Sequence, residues 1–272
     1  MRCFLKFFYN LHEAKNFHNE HSFIVIYRNV HFPIYLDFKG SDKWIVFTPG
    51  ACSRQKPMPI FQRSSYSKFI EPNVISLFDP GILFHRKLTN TWFCGTKSRY
   101  YGEYIAQILK LFFEKERVNN KKILLFGTSA GGIPALKIAE KLNGCNVLVG
   151  NIQIDASIHP AFDKMLPVLF PGLDSIDCKH QFHERFDARS VDSSFRLFYI
   201  QNIKDTFHYK NHFKPYREWC LSKEISFDAS FYEYDNLEAG HGSVGREKEL
   251  SIIESIFENE NLNLNWLDRL GC

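Results

Sequence analysis

The sequence predicts an α/β fold, a mostly parallel central sheet with helices on both faces. Short apolar runs bounded by polar or charged residues recur along the chain, as strands buried on both faces require. They alternate with stretches whose apolar residues fall at helical spacing, which supplies the crossover helices of parallel pairing. The alternation runs from about residue 22 to 257 without a low-complexity linker or a repeat, so the 272 residues are expected to form a single domain, 1–272. A chain of that length can bury a substantial core.

Taken in order, residues 22–28 and 33–38 read as an antiparallel strand pair and 43–48 as the next strand. Asn73-Val74-Ile75-Ser76-Leu77-Phe78 follows and stops at Asp79-Pro80-Gly81. Tyr101, Tyr104, Ile105, Ile108, Leu109, Leu111 and Phe112 predict an amphipathic helix over about 99–117. Lys121-Lys122-Ile123-Leu124-Leu125-Phe126 reads as a buried parallel strand. The helix from Ile133 to Leu142 is closed by Asn143-Gly144. Pro134 falls in its first turn, where backbone N–H groups lack intrahelical partners anyway. A strand over 146–154 comes next, then residues 156–190, which hold Pro160, Pro167, Pro171 and Gly172 and read as irregular. Strand 195–200, helix 211–222, strand 225–232 and helix 246–257 complete the sheet and its cover.

The chemistry concentrates in Gly127-Thr128-Ser129-Ala130-Gly131-Gly132, between a strand and a helix. Strand, G-x-S-x-G, helix is the setting of a nucleophile elbow. A strained turn exposes the serine hydroxyl at the sheet edge, and the helix N-terminus favours negative charge developing there. Gly-rich strand-to-helix turns also bind phosphate, but no Gly-Lys-Ser/Thr follows and G-x-G-x-x-G is absent. An acid and a histidine should lie downstream, in that order. Gln201-Asn202-Ile203-Lys204-Asp205 closes one strand with an acid, and Ala239-Gly240-His241-Gly242 sits in a loop after the last strand. Ser129, Asp205 and His241 are therefore the expected catalytic residues, with the carboxylate fixing the imidazole tautomer and stabilising the imidazolium. Asp155, after strand 146–154, is the rival acid. An oxyanion hole needs two backbone N–H groups. Ala130 is the expected first donor and Gly50 or Ala51, after strand 43–48, the second; Pro49 has no N–H to offer. This order of nucleophile, acid and histidine belongs to the α/β-hydrolase fold, in which 156–190 occupies the place of a small cap or lid insertion.

Composition narrows the function classes. A net charge of +4, with Lys and Arg spread along the chain, gives no support for nucleic-acid binding. No stretch approaches the roughly 18 apolar residues of a membrane span. The N-terminal apolar stretch is too short for a signal peptide and lacks a small-residue cleavage site. Seven scattered cysteines without C-x-x-C suggest free thiols, so a cytoplasmic location is expected. His180-x-x-His183 and His208-x-x-x-His212 have no H-E-x-x-H context, and no metal is expected. Trp92, Phe93, Tyr100 and Tyr101 cluster with Arg86, Lys87, Lys97 and Arg99, a composition suited to sugar rings and to an anionic glycan or phosphates; in a Phe-rich chain the aromatics are more often core or ordinary surface.

Three motif regions, Leu124 to Gly132, Ile203-Lys204-Asp205-Thr206-Phe207-His208 and Ala239-Gly240-His241-Gly242, resemble the α/β-hydrolase-type O-acetyltransferases of bacterial capsular polysaccharides, the meningococcal serogroup A type in particular. Thr128 stands in place of that family's first elbow serine and Ala239 in place of the first glycine of its histidine loop. The resemblance spans about residues 43–257. It implies acetyl transfer through a Ser-His-Asp triad from acetyl-CoA, a co-substrate rather than a tightly bound cofactor, to a glycan acceptor, the capsular polysaccharide. The triad alone also fits a carboxylesterase or glycan deacetylase, because the chemistry is shared up to the acyl-serine. A catalytically silent scaffold in polysaccharide assembly is a third reading, against which the complete triad speaks.

Overall fold

The computed structural model of the chain describes residues 6–15, 21–191, 195–223, 228–259 and 262. Its strands are β1 (Lys6–Phe8), β2 (Ser22–Tyr27), β3 (Val30–Asp37), β4 (Trp44–Thr48), β5 (Asn73–Leu77), β6 (Ile123–Thr128), β7 (Asn146–Gly150), β8 (Arg196–Asn202) and β9 (Ala229–Tyr234). Its helices are α1 (Leu11–Lys15), α2 (Tyr101–Lys115), α3 (Gly132–Leu142), α4 (Ala161–Leu169), α5 (Ser175–Phe186), α6 (Thr206–His208), α7 (Lys214–Ser222) and α8 (Arg246–Glu258). Among the described residues the strands form one sheet in the order β1-β2-β3-β5-β4-β6-β7-β8-β9. Only β2–β3 and β3–β5 pair antiparallel, so the sheet is mostly parallel as expected.

Burial explains the order. β4, β5 and β7 are buried at every residue and β6 at all but its last, the signature of central strands covered on both faces. The two-residue period of a strand divides their side chains between two cores. On β6, Ile123 and Leu125 enter the core beneath α2 and α3, while Leu124 and Phe126 enter the core beneath α8. Ile252, Ile253 and Ile256 are the residues α8 contributes there.

Several expectations are corrected. β7 ends at Gly150 rather than 154, because Asn151 turns into the left-handed region at φ 47°. Residues 156–190 are not irregular: they hold α4, with Pro167 inside it, and α5, kinked at Phe182. Leu111 does not face the core of α2; it is half exposed, and Phe113 is the buried neighbour. The predicted helix 211–222 begins earlier, at Thr206 behind the capping residue Asp205, and passes through a π-helical turn over Tyr209–Phe213. Residues 225–227 of the predicted last strand lie outside the described residues, and β9 itself runs to Tyr234. β1 and α1 were not expected from the sequence.

The sheet also positions the site. β4 lies between β5 and β6, so the chain leaves β4 toward one side and returns on the other. At such a reversal the connections diverge and leave a crevice at the carboxyl ends of the strands, where open α/β sheets bind ligands. The loop Pro49-Gly50-Ala51 after β4 and the turn at Ser129 after β6 meet there.

Candidate active site

Ser129 occupies the turn between β6 and α3 with φ 53°, a conformation that non-glycine residues rarely adopt. The turn is as tight as a nucleophile elbow requires. A Cβ at Gly127 would stand 2.3 Å from Gly131 O and 2.5 Å from Thr48 Oγ1; one at Gly132 would stand 2.4 Å from Ile152 Cβ. Both positions therefore exclude any side chain, which is the physical content of the glycine pattern. Thr48, at the end of β4, stitches the turn to its neighbour by donating its hydroxyl to Gly131 O (2.7 Å).

The three residues expected from the sequence converge. His241 Nε2 lies 2.8 Å from Ser129 Oγ, and His241 Nδ1 lies 2.5 Å from Asp205 Oδ2. With a carboxylate at Nδ1, the proton belongs on that nitrogen, leaving Nε2 to accept from the serine hydroxyl. The Asp205 side chain is 7% exposed and that of His241 43%, so the acid is sheltered while the imidazole faces the crevice. Burial pushes the Asp205 carboxyl up, but the hydrogen bonds from His208 and His241 outweigh it and hold it well below the usual carboxylate range. Asp155 has other partners. It accepts from the Ser157 N–H (2.9 Å) and pairs with Lys179 (2.8 Å) and Arg189 (3.4 Å).

Asparagines that the sequence reading passed over hold the histidine loop. Asn202 Nδ2 donates to Asn236 O (2.7 Å) and Gly240 O (2.8 Å), and Asn151 Nδ2 donates to Gly242 O (2.7 Å). Asn151 Oδ1 in turn accepts from the Asn202 N–H at 2.7 Å. The available signal was position: Asn151 directly follows β7 and Asn202 ends β8, both at the carboxyl edge of the sheet. Gln62 braces the other side of the site. Its Oε1 accepts from Gly50 N–H (3.0 Å), and its Nε2 donates to Gly50 O (3.2 Å) and Ala51 O (3.1 Å). Gly50 N–H is thus already engaged, whereas the Ala51 residue is exposed. Ala130 follows the serine in the first helical turn, where N–H groups have no intrahelical partner.

A buried ion pair ties the elbow to α8. Arg63 donates through Nε and Nη2 to Glu249 (both 3.0 Å), and Nη2 also reaches Thr128 Oγ1 (3.1 Å). Tyr66 OH donates to the same carboxylate at 2.6 Å, and the Glu249 side chain is fully buried. Glu249→Gln removes the charge that compensates a buried guanidinium and is expected to cost about 3–5 kcal/mol. Urea unfolding measures it, and replacing Arg63 and Glu249 together by methionine should cost less than the single change.

Of the two readings of the aromatic cluster, core rather than glycan platform is the one its burial fits. Trp92, Phe93 and Tyr101 are buried, and Trp92 Nε1 donates to Gln153 Oε1 at 2.7 Å, so these rings do not form an exposed platform. Arg86, Lys87, Lys97 and Arg99 are exposed. His212 is not available as a ligand on its Nδ1, which accepts from the Ile154 N–H (3.2 Å), and burial with the neighbouring His208 pushes it down to about 3. Asp205, His208 and His241 bring possible metal-binding atoms within 4.8 Å of one another. The hydrogen bonds of the two imidazoles to one carboxylate account for that proximity. Among the described residues, no helix is long and apolar enough to cross a membrane.

No protein-family model matches the sequence, and no curated protein matches it. Solved structures do. The capsule O-acetyltransferase of Neisseria meningitidis serogroup A superposes with a TM-score of 0.62 at 14% identity, over 86% of this chain and 96% of that one. A mutant of that enzyme in complex with CoA gives the same TM-score over 85% and 94%. An S-formylglutathione hydrolase from Agrobacterium tumefaciens matches with a TM-score of 0.56 at 13% identity, over 87% and 94%. The chain has the α/β-hydrolase fold, the architecture shared by these structures.

Proposed function

We propose that the chain is a serine acyltransferase in which Ser129 is the nucleophile, His241 the general base and acid, and Asp205 the orienting carboxylate. The observation that carries this is the unbroken line from Asp205 Oδ2 through His241 to Ser129 Oγ, at 2.5 and 2.8 Å. Ser129 Oγ attacks the acyl carbonyl as His241 Nε2 takes its proton, and the same imidazole then protonates the leaving group. Ala130 N–H, at the N-terminus of the helical turn, and Ala51 N–H receive the oxyanion. Gly50 is replaced in that role because its N–H is held by Gln62.

The donor we propose is acetyl-CoA and the acceptor a hydroxyl of a bacterial capsular polysaccharide, with the chain acting as one catalytic domain in the cytoplasm, where acetyl-CoA is at hand. The three motif regions support this, as does the likeness to a capsule O-acetyltransferase solved with CoA. The exposed Arg86, Lys87, Lys97 and Arg99 are the cations we assign to an anionic glycan or to CoA phosphates. Residues 156–190, with α4 and α5, serve as the lid. Hydrolysis is the second reading, favoured by the exposure of His241, which lets water reach an acyl-serine. Labelled acetyl-CoA incubated with enzyme and de-O-acetylated capsular polysaccharide decides between them. Label is expected in the polymer; label released only as acetate, unaffected by polymer, would make the protein an esterase.

A further inference from the structure

Asp205 carries two histidines, and the triad uses only one of them. His208 Nδ1 lies 3.0 Å from Asp205 Oδ1, while His241 Nδ1 takes Oδ2 at 2.5 Å. The two imidazoles lie nearly flat on each other, with centroids 4.0 Å apart and planes 23° from parallel. His208 is 7% exposed, and its Nε2 is buried without a hydrogen-bond partner. A ring whose Nδ1 faces a carboxylate and whose Nε2 meets no acceptor carries its single proton on Nδ1. His208 is then a hydrogen-bond donor to Asp205.

We propose that His208 is a positioning residue of the acyl-transfer site, holding Asp205 by the oxygen that His241 does not use. The proposal rests on the triad reading given above. A carboxylate with one donor can rotate about its Cβ–Cγ bond. A second donor on the opposite oxygen fixes that torsion, and with it the plane in which His241 meets Ser129. The backbone offers no equal substitute, since the His208 N–H reaches Asp205 Oδ1 only at 3.4 Å. Local structure explains how a residue three positions on returns to the acid. Asp205 caps α6, and that single turn folds the His208 ring back over the carboxylate. Phe207 and His212 hold the ring there, with centroids 5.4 and 5.1 Å from that of His208.

Two variants separate the donor from the ring. His208→Asn keeps an N–H near the Nδ1 position and discards the imidazole; His208→Phe keeps a flat ring and discards the donor. Each is made in the wild-type and in the Asp205→Asn background, and kcat and KM are measured with an aryl acetate. His208→Phe is expected to lower kcat about 10- to 100-fold with KM unchanged, the size of a lost hydrogen bond to a charged group. His208→Asn should restore most of that loss. In the Asp205→Asn background His208→Phe should cause no further loss, because the carboxylate that the donor aligns with His241 is absent and holding the amide in place gains nothing. Wild-type kcat in His208→Phe, an Asn variant as slow as the Phe variant, or an equal loss in both backgrounds would overturn the proposal. Should His208→Phe not fold, His208→Ala against His208→Asn gives the same comparison. Activity that survives Ser129→Ala defeats the triad reading and this inference together. Dependence on Ser129 and Asp205 with indifference to His208 defeats this inference alone.

Discussion

Ser129→Ala is expected to lower kcat by about 10⁶-fold, the loss produced when the serine of a Ser-His-Asp enzyme is removed. Among the described residues, Ser129 Oγ is the hydroxyl bonded to the His241–Asp205 pair. The remaining rate would come from the oxyanion donors and substrate binding. Stability should change little, since among the described residues the hydroxyl is held by His241 Nε2 alone, at 2.8 Å, on the open side of the site. The turn survives because its shape is set by close packing at Gly127 and Gly132 and by the Thr48 hydroxyl, none of which involves the serine side chain. A fluorophosphonate probe should label Ser129 in the wild type and nothing in the variant. Labelling at another residue, or wild-type turnover in Ser129→Ala, would sink the assignment.

The elements that were legible in the sequence are those governed by local rules. The strand over residues 121–126, its glycine turn and the following helix form a contiguous stretch in which periodicity, capping and steric demand agree. The separate positions of Asp205 and His241 followed from each standing just after a strand, since parallel strands present their following loops at one edge. What stayed hidden depends on contacts between distant segments. Gln62 braces the Pro49-Gly50-Ala51 loop from twelve residues away, and no local pattern marks it. Glu249 looks like a surface acid in the first turn of α8 until Arg63 and Tyr66 are packed against it. The aromatic cluster was open to two readings for the same reason. Composition places Trp92 and Phe93 beside cations but does not reveal that both adopt left-handed backbone, at φ 51° and 54°, and turn inward. The end of β7 was missed because a single asparagine at positive φ, Asn151, can end a strand inside an apolar run.

That edge also made Asp155 a rival for the triad acid, and Asp205→Asn against Asp155→Asn separates them. Asp205→Asn should lower turnover by about 10⁴-fold, the loss recorded for the corresponding change in a serine protease. Geometry gives the reason. His208 Nδ1–H donates to Oδ1, so an amide at position 205 keeps its oxygen there and turns its NH₂ toward His241 Nδ1. Facing a donor, Nδ1 must become the acceptor, and the imidazole proton moves to Nε2. Nε2 then points a hydrogen at Ser129 Oγ and can no longer take one. The fold should persist, because amide and carboxylate are nearly the same size and the cap on α6 retains its acceptor oxygen. Asp155→Asn breaks a different set of contacts. Its carboxylate serves Ser157, Lys179 and Arg189, all within residues 156–190, so the change should lower the melting temperature while leaving kcat near wild type. Burial raises the Asp155 carboxyl, but its Lys179 and Ser157 contacts outweigh that and hold it ionised. The Nδ1 of His241 is bonded to Asp205 Oδ2, while the Asp155 carboxylate is bonded to Lys179 and Ser157. Kinetics and thermal melts on the two variants therefore give opposite patterns. A large loss of turnover in Asp155→Asn with near-normal turnover in Asp205→Asn would move the catalytic acid to the loop after β7.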